Sequence, residues 1–298
     1  MREIIVVSRK DIIPIYNESL AGIAPIIFSE DEGLRPNPIL TKGTPYMLTW
    51  DEQANDSVLS VAANGVQRRA MSNDKAGMID LRRIKGTATS DEYRIYIFDN
   101  EYQRYLSNRQ IHSNLIVGNG LRPYKLPIPL LLHETQSLIF DVTDLSGVPN
   151  DIRLTLEGHR YYFDAKKLFD QMSPATMVTR PFFYTTDSDV TITAAVGTAE
   201  VLATITFISD GDFYLKNILA YSDGAFRVRI TDTGTGLNLM NGWIHSNILG
   251  GDSEYNVDFN PAMMFQRKTQ VNLRFINLSG VDNRIFFAFA GYNAYYRR

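Results

Sequence analysis

The chain contains no cysteine, so disulfides, thiolate metal sites and cysteine nucleophiles are excluded and the fold must hold by packing alone. A basic excess is missing too. Lys and Arg number 30 against 33 Asp and Glu, a formal net charge of −3, which argues against a nucleic-acid partner. Long apolar runs are absent: Leu126-Pro127-Ile128-Pro129-Leu130-Leu131-Leu132 is broken by two prolines and falls far short of the ~20 residues of a spanning helix. The stretch Ile4-Ile5-Val6-Val7 is too short for the apolar core of an export signal before charge returns. A soluble protein made in the cytoplasm, with no membrane partner, is expected. What is present is ordinary for a folded chain, 44% hydrophobic and 21% charged over 298 residues, enough for two domains at about 150 residues each.

The sequence repeats itself. Ile111-His112-Ser113-Asn114-Leu115-Ile116 recurs as Ile244-His245-Ser246-Asn247-Ile248-Leu249, a displacement of 133 residues. The same displacement carries Tyr93-Arg94-Ile95-Tyr96-Ile97 onto Phe226-Arg227-Val228-Arg229-Ile230, Leu145-Ser146-Gly147-Val148 onto Leu278-Ser279-Gly280-Val281, and Gly158 onto Gly291. One ungapped shift over residues 93 to 162 identifies a duplication. Upstream the register drifts, and Pro45-Tyr46-Met47-Leu48-Thr49 corresponds to Pro181-Phe182-Phe183-Tyr184-Thr185 at a shift of 136. The domains so defined are an N-terminal extended arm over 1–44, punctuated by Pro14, Pro25, Pro36 and Pro38, a first domain over 45–163, a linker with a possible short helix over 164–180, and a second domain over 181–298.

Each copy alternates. Leu138, Phe140 and Val142 oppose Ile139, Asp141 and Thr143, as Val271, Leu273 and Phe275 oppose Asn272, Arg274 and Ile276, and period two means strand. Strands are expected at Met78–Leu81, Glu92–Phe98, Ile111–Val117 and Arg160–Phe163, among others, with second-copy counterparts that include Trp243–Leu249 and Ala294–Arg297. About eight short strands in some 115 residues predict an all-β chain of two tandem antiparallel β-sandwiches, most simply jelly rolls.

No residue set declares a chemistry. Asp232-Thr233-Gly234 is a protease-like tripeptide, but its aligned partner is Asp99-Asn100-Glu101, so a turn is expected instead of a paired aspartate site. The repeated Ile111, His112, Ser113, Asn114 and Ile244, His245, Ser246, Asn247 form the most conspicuous polar feature. Adjacent residues of a strand point to opposite faces, so His and Ser of one copy cannot form a catalytic pair, and the motif reads as structural. His112, His133 and His159 lack metal-ligand spacing, Glu30-Asp31-Glu32-Gly33 and Ser209-Asp210-Gly211-Asp212 lack that of a calcium loop, and Gly234 and Gly236 lack the third glycine of a phosphate cradle. No cofactor and no enzymatic activity are expected.

One asymmetry stands out between the copies. The outward Arg153, Thr155 and Glu157 of the first become Phe286, Ala288 and Ala290 in the second. An apolar strip of this kind needs cover, either from the chain's own loops or first domain or from a partner subunit, which makes Phe286, Ala288 and Ala290 a candidate interface.

The segment from Pro127 to Tyr162, with Pro127-Ile128-Pro129-Leu130-Leu131, alternating Leu138 to Val142, the Leu145-Ser146-Gly147 turn and Tyr161-Tyr162, resembles the jelly-roll accessory and structural proteins of tailed-bacteriophage virions. The resemblance implies a virion component, a capsid decoration or cement protein or a neck or tail part, whose partners are copies of itself and other virion proteins. An extended arm would suit wrapping a neighbour. The alternative is a carbohydrate- or host-receptor-binding β-sandwich, with a glycan carried on Trp50, Trp243 or tyrosines.

Overall fold

Alternation becomes strand where one side of it can be buried. In the computed structural model Tyr93, Ile95, Ile97 and Asp99 are buried along one face of β5 (Tyr93–Asp99), and Arg94, Tyr96 and Phe98 lie half-buried on the other. The structure describes residues 43–50, 58–73, 77–161, 177–192, 200–208, 211–249, 251–253 and 259–296. The first half carries β1 (Thr44–Thr49), β2 (Leu59–Val61), β3 (Val66–Ser72), β4 (Met78–Ala88), β5, β6 (Arg104–Tyr105), β7 (Ile111–His112), the one-turn helix α1 (Ser113–Ile116), β8 (Tyr124–Leu132), β9 (Ser137–Asp144) and β10 (Asn150–Tyr161). The second half carries β11 (Met177–Thr185), β12 (Val190–Ile192), β13 (Glu200–Thr206), β14 (Gly211–Ser222), β15 (Phe226–Asp232), β16 (Ile244–His245), the one-turn helix α2 (Ser246–Leu249), β17 (Met263–Phe265), β18 (Gln270–Asn277) and β19 (Asn283–Tyr296).

These strands make four antiparallel sheets, two per copy. The first copy pairs β1-β10-β4-β8, with β2 continuing β1 along β10, over β3-β9-β5-β6, with β7 also on β5. The second repeats this as β11-β19-β14-β17, with β12 on β19, over β13-β18-β15-β16. First and last strands are neighbours in each copy, and every sheet joins strands distant in sequence, which is the jelly-roll arrangement. The fold is all-β, two jelly rolls in tandem.

The registers confirm the duplication where the sequence drifts. Pro45 lies opposite His159 and Pro181 opposite Tyr292, so the shift of 136 in the first strand meets the shift of 133 in the last. Equivalent β-bulges interrupt the long β4–β10 and β14–β19 pairings, beside Gly158 in β10 and Gly291 in β19. An added Cβ would lie 1.8 Å from the Asp80 carbonyl oxygen at Gly158 and 2.0 Å from that of Tyr214 at Gly291, so only glycine admits the partner strand this closely. The bulge bends the strand without ending it. The segments expected to start separate strands at Arg160 and Ala294 are therefore the ends of β10 and β19, and β4 runs past the expected Leu81 to Ala88.

Met177 to Arg180, expected in the linker, are strand, because β19 continues to Tyr296 and offers them partners from Asn293 onward. Thr44, expected in the arm, already belongs to β1 because it pairs with Arg160 of β10; residues 1–42 of the arm, 162–163 of the first domain and 164–176 of the linker lie outside the described residues. Each sandwich has its own core. In the first, Trp50 meets Phe140 edge-on at 5.1 Å and its Nε1–H donates to the Ile152 carbonyl at 3.4 Å. In the second, Tyr184, Phe207 and Phe213 cluster with centroids 4.8–5.4 Å apart.

Candidate functional site

The repeated His-Ser-Asn motif does not stay in strand. Only Ile111–His112 and Ile244–His245 pair with neighbours, to β5 and β15, and the next four residues turn into α1 and α2. This corrects the strands expected over Ile111–Val117 and Trp243–Leu249, and the cause is a cap. His112 has extended backbone and its Nδ1 accepts the Asn114 N–H at 3.3 Å, and His245 Nδ1 accepts the Asn247 N–H at 3.2 Å. Each imidazole satisfies an orphan donor of a helical first turn. Ser113 Oγ donates to the Asp91 carbonyl, and Ser246 Oγ accepts the Phe226 N–H at 3.3 Å. Serine and histidine therefore face separate backbone tasks, and neither activates the other.

The two copies differ in what lies over this motif. In the first, the outer face of sheet β11-β19-β14-β17 packs directly onto it, and Phe183, Leu219, Ala288 and Ala290, each fully buried, continue the core made by Leu106, Leu115, Ile116 and Tyr124. Phe286 stacks on His112 with centroids 4.0 Å apart, and Tyr221 lies 5.4 Å from the same ring. The structure thus places Phe286, Ala288 and Ala290 against the first jelly roll of their own chain, one of the two covers open to them.

Polar bonds close the seam. The Phe183 N–H donates to the Leu106 carbonyl at 2.9 Å, and the Asn108 N–H donates to the Phe183 carbonyl at 3.2 Å. The Asn108 side chain grips Thr185 at both ends, Nδ2 donating to its carbonyl at 3.0 Å and Oδ1 accepting its N–H at 2.8 Å. The outer edge of β11, which would otherwise present unpaired groups, is satisfied within the chain. Ion pairs line the rim: Arg94 with Asp189, Arg284 with Glu92 at 3.4 Å, and the buried Arg180 with Asp99 at 3.4 Å. Arg180 also covers the Tyr102 ring at 3.8 Å.

Arg94, Arg109, Gln110, His112, Thr185, Asp189 and Phe286 line a cleft of about 130 Å³ at this seam, below the usual ~300 Å³ of a small-molecule site. Because His112 Nδ1 accepts a hydrogen bond, its proton sits on Nε2 when the ring is neutral. That nitrogen is buried without a hydrogen-bond partner, 3.7 Å from Glu92 Oε2. Burial, together with the Arg94 and Arg284 guanidiniums, pushes the His112 pKa down to about 4, so the ring is neutral at pH 7. Burial raises the Asp99 carboxyl above its ordinary value while Arg180 beside it pulls the other way. Arg94, Arg284 and Arg180 are each paired with a carboxylate across the seam, and the arrangement holds the two jelly rolls together.

The remaining sequence candidates disperse. His133 follows β8, 3.7 Å from Glu101 Oε1, and His159 lies within β10, apart from His112 on β7. Among the described residues no group of three or more His, Asp or Glu could hold a metal. Asp232 accepts from the Gly234 N–H and the Thr235 hydroxyl, both at 2.9 Å, and Asp99 accepts from the Glu101 N–H at 3.0 Å, so both tripeptides are turns. Of the candidate sugar platforms, Trp50 is buried in the core and Trp243 is half-buried. Glu30 to Gly33, Ser209 and Asp210 lie outside the described residues.

Sequence reading missed Phe183, Leu219 and Tyr221, which extend the strip of Phe286 across three strands. By register they replace Met47, Lys85 and Thr87 of the first copy. The exchanges of Lys85 for Leu219 and Thr87 for Tyr221 are polar to apolar, and they were there to be found once the drifting register upstream of residue 93 was resolved.

No protein-family model matches the chain, and no curated protein matches it significantly. Among solved structures it is similar to PNGF-II at 12% identity and a TM-score of 0.35, over 87% of this chain and 66% of that one. It is similar to a structure of Sulfolobus Turreted Icosahedral Virus at 11% identity and a TM-score of 0.23, over 81% of this chain and 60% of that one. A third likeness, to the triple jelly roll fold of an archaeal virus turret assembly, has 12% identity and a TM-score of 0.21, over 86% and 60% of the two chains. The chain spans less than two thirds of each of these proteins.

Proposed function

We propose that the protein is a non-enzymatic structural component of a tailed-phage virion, a decoration, cement, neck or tail part, made in the host cytoplasm and acting through contacts with copies of itself and other virion proteins. The observation that carries this reading is the use of the repeated polar motif. The side chains best suited to chemistry, His112 and Ser113, cap a helical turn and hold a backbone carbonyl beneath a second jelly roll. Among the described residues the outside consists of sheet faces and the loops between strands, surfaces suited to binding. The test is mass spectrometry of purified particles, with immunogold labelling to find the position. Recovery of the chain at a fixed copy number per particle is expected, and its absence from particles would refute the reading. A glycan array run beside it addresses the carbohydrate-binding alternative.

A further inference from the structure

The duplication makes the socket on the first jelly roll twice, and the second jelly roll leaves its copy open. Leu106 is held by its N–H donating to the Ile97 carbonyl at 2.8 Å, and Leu239 by the same bond to Ile230 at 2.9 Å. Asn108, which grips Thr185, recurs as Asn241, and the capping His112 recurs as His245. Leu115 is 1% exposed under the second jelly roll, whereas its equivalent Ile248 is 77% exposed.

The complementary face is also made twice, and the first jelly roll leaves its copy bare. By register, Phe183 corresponds to Met47, Thr185 to Thr49, and Phe286 to Arg153. Met47 is 59% exposed on β1, an edge strand like β11. Two details join this face to the open socket. The Asn108–Thr185 clamp has its residue types repeated as Asn241 and Thr49. Phe286 and Gln110 line the same cleft, and both change together, to Arg153 and Trp243, so that the exchange sets a guanidinium against an indole, a favourable pair.

We propose that the chain associates head to tail with further copies of itself, the first jelly roll of one copy docking through Met47, Thr49 and Arg153 onto Asn241, Trp243 and Ile248 of the next, as the two jelly rolls dock within one chain. The contact is heterologous, so it closes a ring or continues as a filament. It is weaker than the contact inside the chain, because Lys85, Thr155 and Glu157 stand where Leu219, Ala288 and Ala290 are buried, and because the equivalent of Glu92 is Ala225 and that of Arg180 is Thr44, which removes rim ion pairs. The inference names the partner that the virion reading calls for. A chain that self-associates but is absent from particles keeps the contact and loses that role, and a strictly monomeric chain found in particles does the reverse.

The experiment is sedimentation velocity on the full chain over a concentration series, with Ile248→Asp and Met47→Asp, both at exposed positions, and with Asn241→Ala. Wild type is expected to associate as concentration rises, and each substitution to raise the concentration of half-association at least about tenfold. An equimolar mixture of Ile248→Asp and Met47→Asp chains retains one intact socket and one intact face, so it should form a complex of two chains and nothing larger. Unchanged melting temperatures show that the variants fold. A wild-type chain that stays monomeric, association that survives the substitutions, or a mixture that forms no complex overturns the proposal.

Discussion

Replacing His112 with asparagine should remove an acid sensitivity that the seam builds into the fold. The wild-type ring is buried and neutral, with its pKa held down to about 4 against an ordinary 6.5. Between these two values the unfolded chain carries a proton at this position that the folded chain does not. Stability is therefore fully present above about pH 6.5 and falls as the pH drops toward 4. At 1.36 kcal/mol per pH unit the interval corresponds to about 3 kcal/mol, a large share of the 5–15 kcal/mol typical of a whole protein. Asparagine keeps an oxygen for the Asn114 N–H and has no proton to gain, but it loses the stack on Phe286, at a cost of about 1 kcal/mol. The variant should be the less stable of the two near pH 8 and the more stable near pH 4.5. Urea unfolding of both proteins at half-unit pH steps measures this, and the difference between them cancels carboxylates that do not sense His112, such as Asp144, whose depressed pKa brings its own loss at lower pH. Parallel curves between pH 6.5 and 4.5 would show that the ring is not buried uncharged and would refute the reasoning.

Three further outcomes are expected from denaturation at neutral pH. Phe286→Ala should cost about 2 kcal/mol because it strips the stack from His112 and opens the seam, whereas Arg153→Ala at the equivalent exposed position should stay within about 0.5 kcal/mol. Gly158→Ala and Gly291→Ala should each destabilise by about 3 kcal/mol or more, since both force a methyl group into a partner-strand carbonyl, and a tolerated alanine at either would remove the close approach. Asn108→Ala should cost about 2 kcal/mol by leaving both backbone groups of Thr185 unpaired in the seam, and Asn241→Ala, exposed in the single chain, should leave the melting temperature nearly unchanged.

The fold was legible because its two strongest signals are redundant. Each inward row, such as Leu138, Phe140 and Val142, is written again as Val271, Leu273 and Phe275, and all six are fully buried. Other features were hidden for physical reasons. The run Ile111 to Val117 has strand composition, and four helical residues are too few to show a period. Nothing in composition reveals that a histidine will act as the cap. Arg82 sits in the bulge of β4 and breaks the alternation there, which ended the expected strand seven residues early. The strip at Phe286, Ala288 and Ala290 could be seen, but its cover could not, because sequence records what a face lacks in polarity and not what lies opposite.

The divergence of the two faces follows from their neighbours. A duplicated jelly roll with Phe183, Leu219, Tyr221 and Phe286 on both copies would expose one such face on every chain, a patch that a soluble protein rarely tolerates. The first copy instead carries Lys85 paired with Glu157 and an exposed Arg153 on that surface, which keeps it hydrated, while Met47 and Thr49 retain the shape of an edge strand. The socket had no such pressure. The histidine caps its own helical turn and the serine bonds backbone of its own jelly roll whether or not a partner arrives, so the motif persists in both copies although only one of them is covered. That is why the motif repeats so clearly, and why its repetition records a scaffold with one contact made permanent inside the chain and its counterpart left open to solvent.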